Sequence, residues 1–384
     1  MSVSDEERLA RLALSQIFEP GDHRIAGLVS ALGGIKVLEM LRTGDHNLPR
    51  TDVAARLARV DPARQLEIGM RRGMRYVVQG DPEWPSQLDP LDHVAPLYER
   101  TGCPPGLWVR GPLTLDTLSN SVAIVGSRAS TTYGDEMASR IAADVGRAGY
   151  TVVSGAAYGI DAAAHRGAID AGTPTVAVLA CGADRIYPSS HVRLFDILAS
   201  EGAIVSELAP GLAPMRLRFL SRNRLIAGAA LGTVIVEAGK RSGARNTANW
   251  TGRLSRPLMG VPGPVTSAAS EGVHQMLRSG EAVLVTSGAE VLEMIGSAGE
   301  HLTYEELEPA LPRDQLTLRE QQILDAVPVG SGAPVDSIAL TAGISMITVQ
   351  GALDVLRARG LVTLSGDGWR LTPAALHATS RSSS

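Results

Sequence analysis

The chain holds 384 residues, 44% of them hydrophobic, with 40 acidic against 36 basic side chains and a formal net charge of −4. At roughly 100–200 residues per domain that length predicts two or three domains, and no uncharged stretch reaches the ~18 residues of a membrane span, so no membrane role is expected. Two remote cysteines, Cys103 and Cys181, exclude a disulfide framework or thiolate cluster, and the eight histidines never fall at metal-ligand spacing, so neither metal nor cofactor is expected.

The opening run Met1-Ser-Val-Ser-Asp-Glu-Glu carries acids where a secretory signal would carry basic residues, which predicts a cytoplasmic protein. Ser4 is placed to cap a helix from Asp5 to about Ile17, with Leu9, Leu12 and Ala13 on one face. Gly21-Asp22 restarts the chain into a second helix through Leu28 and Leu32, and Gly33-Gly34 breaks it. Further helices are predicted through Val37, Leu38 and Leu41, and from Thr51 to about Arg72. Short helices with glycine breaks over residues 1–75 suggest a sterile-alpha-motif or helix-hairpin-helix type module. Such modules bind either protein partners or DNA, and the near-even charge here does not choose between them.

From residue 76 to 297 the pattern changes to alternating strands and helices. After a proline- and aromatic-rich lead-in, strands are predicted at Leu107–Val109, Val122–Val125, Thr151–Val153, Thr175–Leu179, Ala203–Val205, Thr233–Val236, Pro257–Val261 and Ala282–Val285. These are short, uniformly apolar runs, as strands covered on both faces require. Helical patterns between them give a repeated βα unit, hence an α/β fold: an extended Rossmann-like, doubly wound parallel sheet with ligands at the carboxyl ends of its strands. Residues 298–312 read as an acidic, proline-marked linker. Over 313–378, helices Thr317–Val327, Val335–Ala342 and Ser345–Arg359 and a hairpin around Gly366-Asp-Gly predict a winged helix. Five arginines against six acids there leave partner contact and DNA contact equally open.

Chemistry is concentrated at the strand ends. Val122–Val125 runs into Gly126-Ser127-Arg128, the next strand into Ser154-Gly155-Ala-Ala-Tyr158-Gly159-Ile-Asp161, and a third into Ala180-Cys181-Gly182. Glycine turns at successive strand ends admit a phosphate to backbone amides, and a following helix N-terminus adds favourable partial charge. Between Gly211 and Ser270 stand nine basic side chains and one acid, Glu237, a segment of charge +8 in an acidic protein. Arg216, Arg218, Arg222 and Arg224 flank Phe219, the pairing of cations and aromatic that holds single-stranded nucleic acid without reading sequence. Phe219 as an ordinary core ring, and Asn223 as a turn-shaping group, are the plainer readings; Glu237 is expected to pair with an arginine. No GxSxG elbow or Walker A lysine is present, and Asp161 and His165, one helical turn apart, fit orientation of each other, or of the Gly155 loop, better than proton transfer, so no catalysis is expected.

At this point the chain resembles the DNA-processing protein A family (DprA, also called Smf). The resemblance rests on Val-Gly126-Ser127-Arg128, on Ser154-Gly155 through His165, on Phe219-Leu-Ser-Arg222-Asn223-Arg224-Leu-Ile-Ala-Gly228, on Glu237-Ala…Ser242-Gly243, and on Val261-Pro262-Gly263. It implies a dimer, through the Rossmann-like domain, that binds single-stranded DNA and helps load the RecA recombinase during transformation. By position, Arg128, Arg216, Phe219 and Lys240–Ser242 would face the DNA. The whole DNA-facing set expected is Gly126, Ser127, Arg128, Ser154, Gly155, Gly159, Gly182, Arg216, Arg218, Phe219, Arg222, Asn223, Arg224, Lys240, Arg241, Ser242 and Gly243. Leu220 stands where the family usually has proline, and the run from Ala244 to Trp250 also departs from its pattern, which bears on loop geometry. Two other readings are a nucleotide-processing enzyme resembling the lysine-decarboxylase-like phosphoribohydrolases, of whose Pro-Gly-Gly-x-Gly-Thr loop Pro262-Gly263-Pro264 is only an echo, and a transcription regulator using the C-terminal helices.

Overall fold

The computed structural model describes residues 3–44, 53–297, 299–301 and 315–377. Five helices come first: α1 (Asp5–Ile17), α2 (His23–Leu32), α3 (Gly34–Thr43), α4 (Val53–Leu57) and α5 (Pro62–Arg71). Ser4 caps α1 as expected, its Oγ accepting from the Glu7 amide at 3.2 Å. The single helix expected from Thr51 to Arg72 is instead α4 and α5, with its first two residues outside the described set. Pro62 cannot donate an amide and holds Asp61 extended, and the Asp61 side chain caps the new helix at the Arg64 amide, 3.0 Å away.

The strands follow as β1 (Met74–Val77), β2 (Leu107–Arg110), β3 (Ser121–Val125), β4 (Thr151–Ser154), β5 (Thr175–Val178), β6 (Ala203–Ser206), β7 (Gly232–Ile235), β8 (Leu258–Gly260) and β9 (Val283–Leu284). Between and after them run α6 (Thr132–Arg147), α7 (Ile160–Asp170), α8 (Val192–Glu201), α9 (Arg216–Ala229), α10 (Ala244–Arg253), α11 (Glu271–Arg278) and α12 (Gly288–Ile295). One sheet takes all nine strands in the order β1-β2-β6-β5-β4-β3-β7-β8-β9. The seven from β6 to β9 are parallel, but β1 and β2 join antiparallel, β2 against β6. The sheet is therefore mixed, which corrects the expectation of a wholly parallel one. Arg75 explains why β1 was not foreseen: it breaks the apolar run, and its guanidinium holds Glu83 at 2.7 Å together with the Gly111 and Leu113 carbonyls.

Both faces of the parallel strands β3 to β8 are buried, which is why they read as unbroken apolar runs. Val122 and Ile124 of β3 pack with α6, α7 and α12, while Ala123 and Val125 pack with α9 and α10. From β3 the chain steps outward through β4, β5 and β6 with α6, α7 and α8 on the first face. Helix α9 then returns it to β7, beside β3, and it steps the other way to β9. The winding reverses between β3 and β7, and their carboxyl ends form the crevice where an open α/β sheet takes ligands. The leading helices belong to the same compact unit, Met1–Thr303, rather than standing apart. Arg8 grips Asp81 at 2.6 and 2.8 Å, and Leu12 lies in the cluster of Tyr76 and Trp108.

The second unit carries the three helices and hairpin expected: α13 (Leu318–Ala326), α14 (Val335–Ala342), α15 (Met346–Ala358), β10 (Val362–Ser365) and β11 (Gly368–Leu371), with α16 (Pro373–His377) beyond. Ile323, Ile338, Val349, Leu353 and Trp369 form its core. The expected linker, 298–312, lies outside the described residues except for 299–301. Among the described residues no single helix is long and apolar enough to cross a membrane.

His165 on α7 is wholly buried. Its Nδ1 donates to Thr175 Oγ1 at 2.7 Å, because that hydroxyl spends its own hydrogen on the Val152 carbonyl, 2.9 Å away. Nε2 has no partner among the described residues, and burial drives the imidazole pKa down from 6.5 to about 3. The unfolded chain thus takes up this proton first, so stability present above the unfolded value is lost as pH falls from 6.5 towards 3. Denaturant unfolding should show about 2 kcal/mol lost from this group between neutrality and about pH 5, and His165→Gln should flatten that dependence. An unchanged pH profile in the variant would remove His165 as its cause.

Candidate nucleic-acid interface

The crevice is shaped by backbones packed on one another. The Ser127 amide donates to the Glu237 carbonyl at 2.7 Å, joining the loops after β3 and β7, and the Ile160 amide donates to the Ser127 carbonyl, joining the loop after β4. A Cβ on Gly126 would stand 2.8 Å from the Glu237 carbonyl. One on Gly159, whose φ is +72°, would stand 2.3 Å from the Ser127 carbonyl. These glycines allow the loops to pack directly on one another. Gly182 likewise closes on the Ala209 carbonyl and Asp184, and the Ser154 hydroxyl turns inward to the Ile124 carbonyl at 2.7 Å.

Among the described residues Glu237 pairs with no arginine. Its buried carboxylate accepts from the Thr131 amide at 2.9 Å and the Thr131 hydroxyl at 2.6 Å, and that hydroxyl accepts from the Gly134 amide at 3.1 Å. Gly134 lacks the Cβ that would collide with the carboxylate. The protein's own carboxylate therefore stands at the N-cap of α6, where the sequence suggested an external anion.

Helix α9 carries six of the seventeen expected contacts, and three of its arginines are interior. Arg224 is fully buried, donating to both oxygens of Glu207 at 2.8 Å and to the Gly102 and Ser221 carbonyls. Arg222 enters the space left by Gly155, where a Cβ would meet its guanidinium at 2.0 Å, and bonds the Gly155 carbonyl at 2.9 Å and that of Val178. Burial lowers its pKa to about 10, an effect that nearby Asp161 opposes. Asp161 in turn is pushed up by burial and held by Arg222 and the Ala157 amide, not by His165. Arg218 donates to both oxygens of Glu19, at 2.9 and 2.6 Å, and to the Ala213 carbonyl. Asn223 meets Asn246 of α10 at 3.2 Å. Arg218, Arg222, Asn223 and Arg224 are thus structural, and the +8 of this segment overstates its surface charge. Arg253 and Arg256 also spend their guanidinium groups on carbonyls.

What remains exposed converges on one rim. Arg128 lies over the ring of half-buried Phe219, its guanidinium carbon 4.7 Å from the centroid, a cation–π contact that orders both groups. Arg216 is exposed in the first turn of α9, and Arg241 is exposed beside Lys240, which meets Glu271 at 3.4 Å. Ser242 and Gly243 continue that loop into α10, the Ser242 hydroxyl accepting from the Ala244 amide. Three rings the sequence reading left out also stand here: Tyr187, 5.7 Å from Phe219, and Tyr158 with His191, 5.0 Å apart. Tyr158 was in view inside the second glycine turn. Tyr187 follows the third by five residues, a spacing that places it on the same rim.

Residues 75–296 match the profile of the family DNA recombination-mediator protein A. The DNA processing protein DprA of Mycobacterium tuberculosis is 39% identical over 374 residues, covering 94% of this chain and 93% of the relative. The crystal structure of DNA processing protein A from Streptococcus pneumoniae superposes with a TM-score of 0.63 at 26% identity, over 77% of this chain and all of that one. A structure of the Helicobacter pylori protein, described as giving its single-stranded DNA binding mode, superposes with a TM-score of 0.50 at 25% identity over 58% of this chain and 96% of that one.

The geometry separates two arginines that charge alone treats alike. Arg224→Met should cost about 3–5 kcal/mol in denaturant unfolding, because it strands the Glu207 carboxylate in the interior. Adding Glu207→Gln should recover part of that loss. Arg128→Ala, at the surface, should leave the unfolding midpoint nearly unchanged. Equal midpoints for the two arginine variants would contradict this assignment.

Proposed function

The chain belongs to the DNA recombination-mediator protein A family, and from that premise we propose that it processes DNA by holding single strands at the rim between β3, β7 and α9. The observation that carries this reading is Arg128 stacked on Phe219 at the switch point. A cation fixed on an aromatic offers a phosphate partner and a base platform in one place, as sequence-tolerant single-strand binding requires. Arg216, Lys240 and Arg241 extend the positive rim, with Ser127, Ser242 and Gly243 as backbone-level contacts. The nucleotide-processing reading loses ground because Glu237 holds the α6 N-terminus that a nucleotide phosphate would use. No catalytic step is assigned to these residues. We further propose that the strand is presented to the RecA recombinase, that two copies associate through the Rossmann-like domain, that the C-terminal unit is a winged helix, and that the protein acts in the cytoplasm. These proposals rest on family membership.

Four exposed cations on the rim set the expected salt dependence. At about −0.7 per neutralised phosphate, log K for single-stranded DNA should fall with log salt at a slope near −3. Arg128→Ala should weaken binding and make that slope shallower. Phe219→Leu should do both as well, since it removes the platform that orders Arg128, and mononucleotides should compete poorly. The measurement is fluorescence-anisotropy titration of a labelled oligothymidylate at several salt concentrations. A slope near zero, or strong competition by a mononucleotide, would overturn the reading.

A further inference from the structure

The segment after β5, residues 186–191, is fastened to the loop after β4. His191 Nδ1 lies 3.2 Å from the Ala156 carbonyl, and the Ser190 hydroxyl bonds the Tyr158 hydroxyl at 3.0 Å. The segment presents Tyr187 towards Phe219 at one end and His191, edge-on, to Tyr158 at the other. The rings thus stand as two touching pairs, Phe219–Tyr187 and Tyr158–His191, a discontinuous row that begins where Arg128 covers Phe219. Tyr158 and Tyr187 are 48% and 44% exposed although their neighbours Ala156 and Pro188 are buried. Core packing therefore does not account for them. Three phenylalanines and seven tyrosines in 384 residues make aromatic rings scarce, yet one of the former and two of the latter stand together here. Each tyrosine touches another ring, and the Tyr158 hydroxyl is also bonded, so little rotamer freedom remains to be lost when a flat ligand stacks.

We propose that Tyr158, Tyr187 and His191 form a second base-stacking station, which takes the next unpaired nucleobases of the strand whose first base lies at Phe219. The inference rests on the single-strand reading above and deepens it. Its ligand is the exposed face of an unpaired base. Paired bases stacked within a duplex cannot offer that face, so the row selects single strands over duplex. The cations at Arg128 and Arg216 hold the backbone at one end, and the rings guide the strand away across the carboxyl ends of β4 and β5.

The test uses the full chain, labelled oligothymidylates of increasing length, and a matched duplex. Tyr158→Leu and Tyr187→Leu should each weaken binding to the longer oligomers about five- to a hundredfold, the effect of losing one stacked base. The shortest oligomers, which reach only the Phe219 end, should be affected less. Because stacking moves no counterions, the salt slope should stay at the wild-type value in both variants, whereas Arg128→Ala makes it shallower. Tyr158→Phe and Tyr187→Phe should retain binding, since each keeps a ring. Photocrosslinking of an iodouracil-substituted oligomer to wild-type protein, read by mass spectrometry, should label Tyr158 or Tyr187 even if a leucine variant folds poorly. If wild type binds and Arg128→Ala weakens it while both leucine variants bind every length like wild type, the second station is wrong and the first stands. Crosslinks confined to Phe219 would also overturn the station. Failure of wild type to bind single strands at all would remove both.

Discussion

The molecule is organised around the cost of burying three guanidinium groups on one helix. A cation taken from water must find acceptors in fixed places, and α9 finds them on almost every element around it. Arg218 takes Glu19 from the leading helices, Arg222 takes carbonyls at the ends of β4 and β5, and Arg224 takes Glu207 beyond β6 and the carbonyl of Gly102. Each demand fixes a loop. Gly155 has no side chain because Arg222 fills its place. The exposed rim is then the outer surface of a scaffold whose interior charges are already matched, with Phe219 half-buried between the two sets.

Much of the architecture was legible because it rests on local pattern. Eight strands follow from uniformly apolar runs, and the caps at Ser4 and Asp22 follow from side chains that accept backbone amides within one turn. Arg75 hid β1, and Pro62 divided a helix. The site was harder to read for a different reason. Charge is visible in a sequence but burial is not, and α9 has no apolar stripe to show which arginines turn inward. Their partners give no local clue either: Glu19 stands 199 positions from Arg218, and Glu207 stands 17 from Arg224. Glycine is ambiguous in the same way. It reports that something approaches closely without saying whether that is a phosphate, a carbonyl or an arginine.

Glu237 shows how this sheet departs from its nucleotide-binding relatives in architecture. A helix N-terminus beside the switch point usually leaves amides free for a ligand's phosphate. Here the Glu237 carboxylate, in the loop after β7, takes the Thr131 amide, and the Thr131 hydroxyl takes that of Gly134. Under the proposed reading, attraction for an anion comes instead from the exposed guanidinium groups of the rim, with Arg128 set on the Phe219 ring.

The two edges of the sheet are unlike. On β1, Met74, Tyr76 and Val77 are buried, and Arg8 donates to the Tyr76 carbonyl, whereas both residues of β9 are exposed. Unpaired edges invite strand addition, and the number of open edges sets how far addition can go. On β1 the Tyr76 carbonyl is already taken, and β9 is only two residues long, so it offers an added strand little length to pair with.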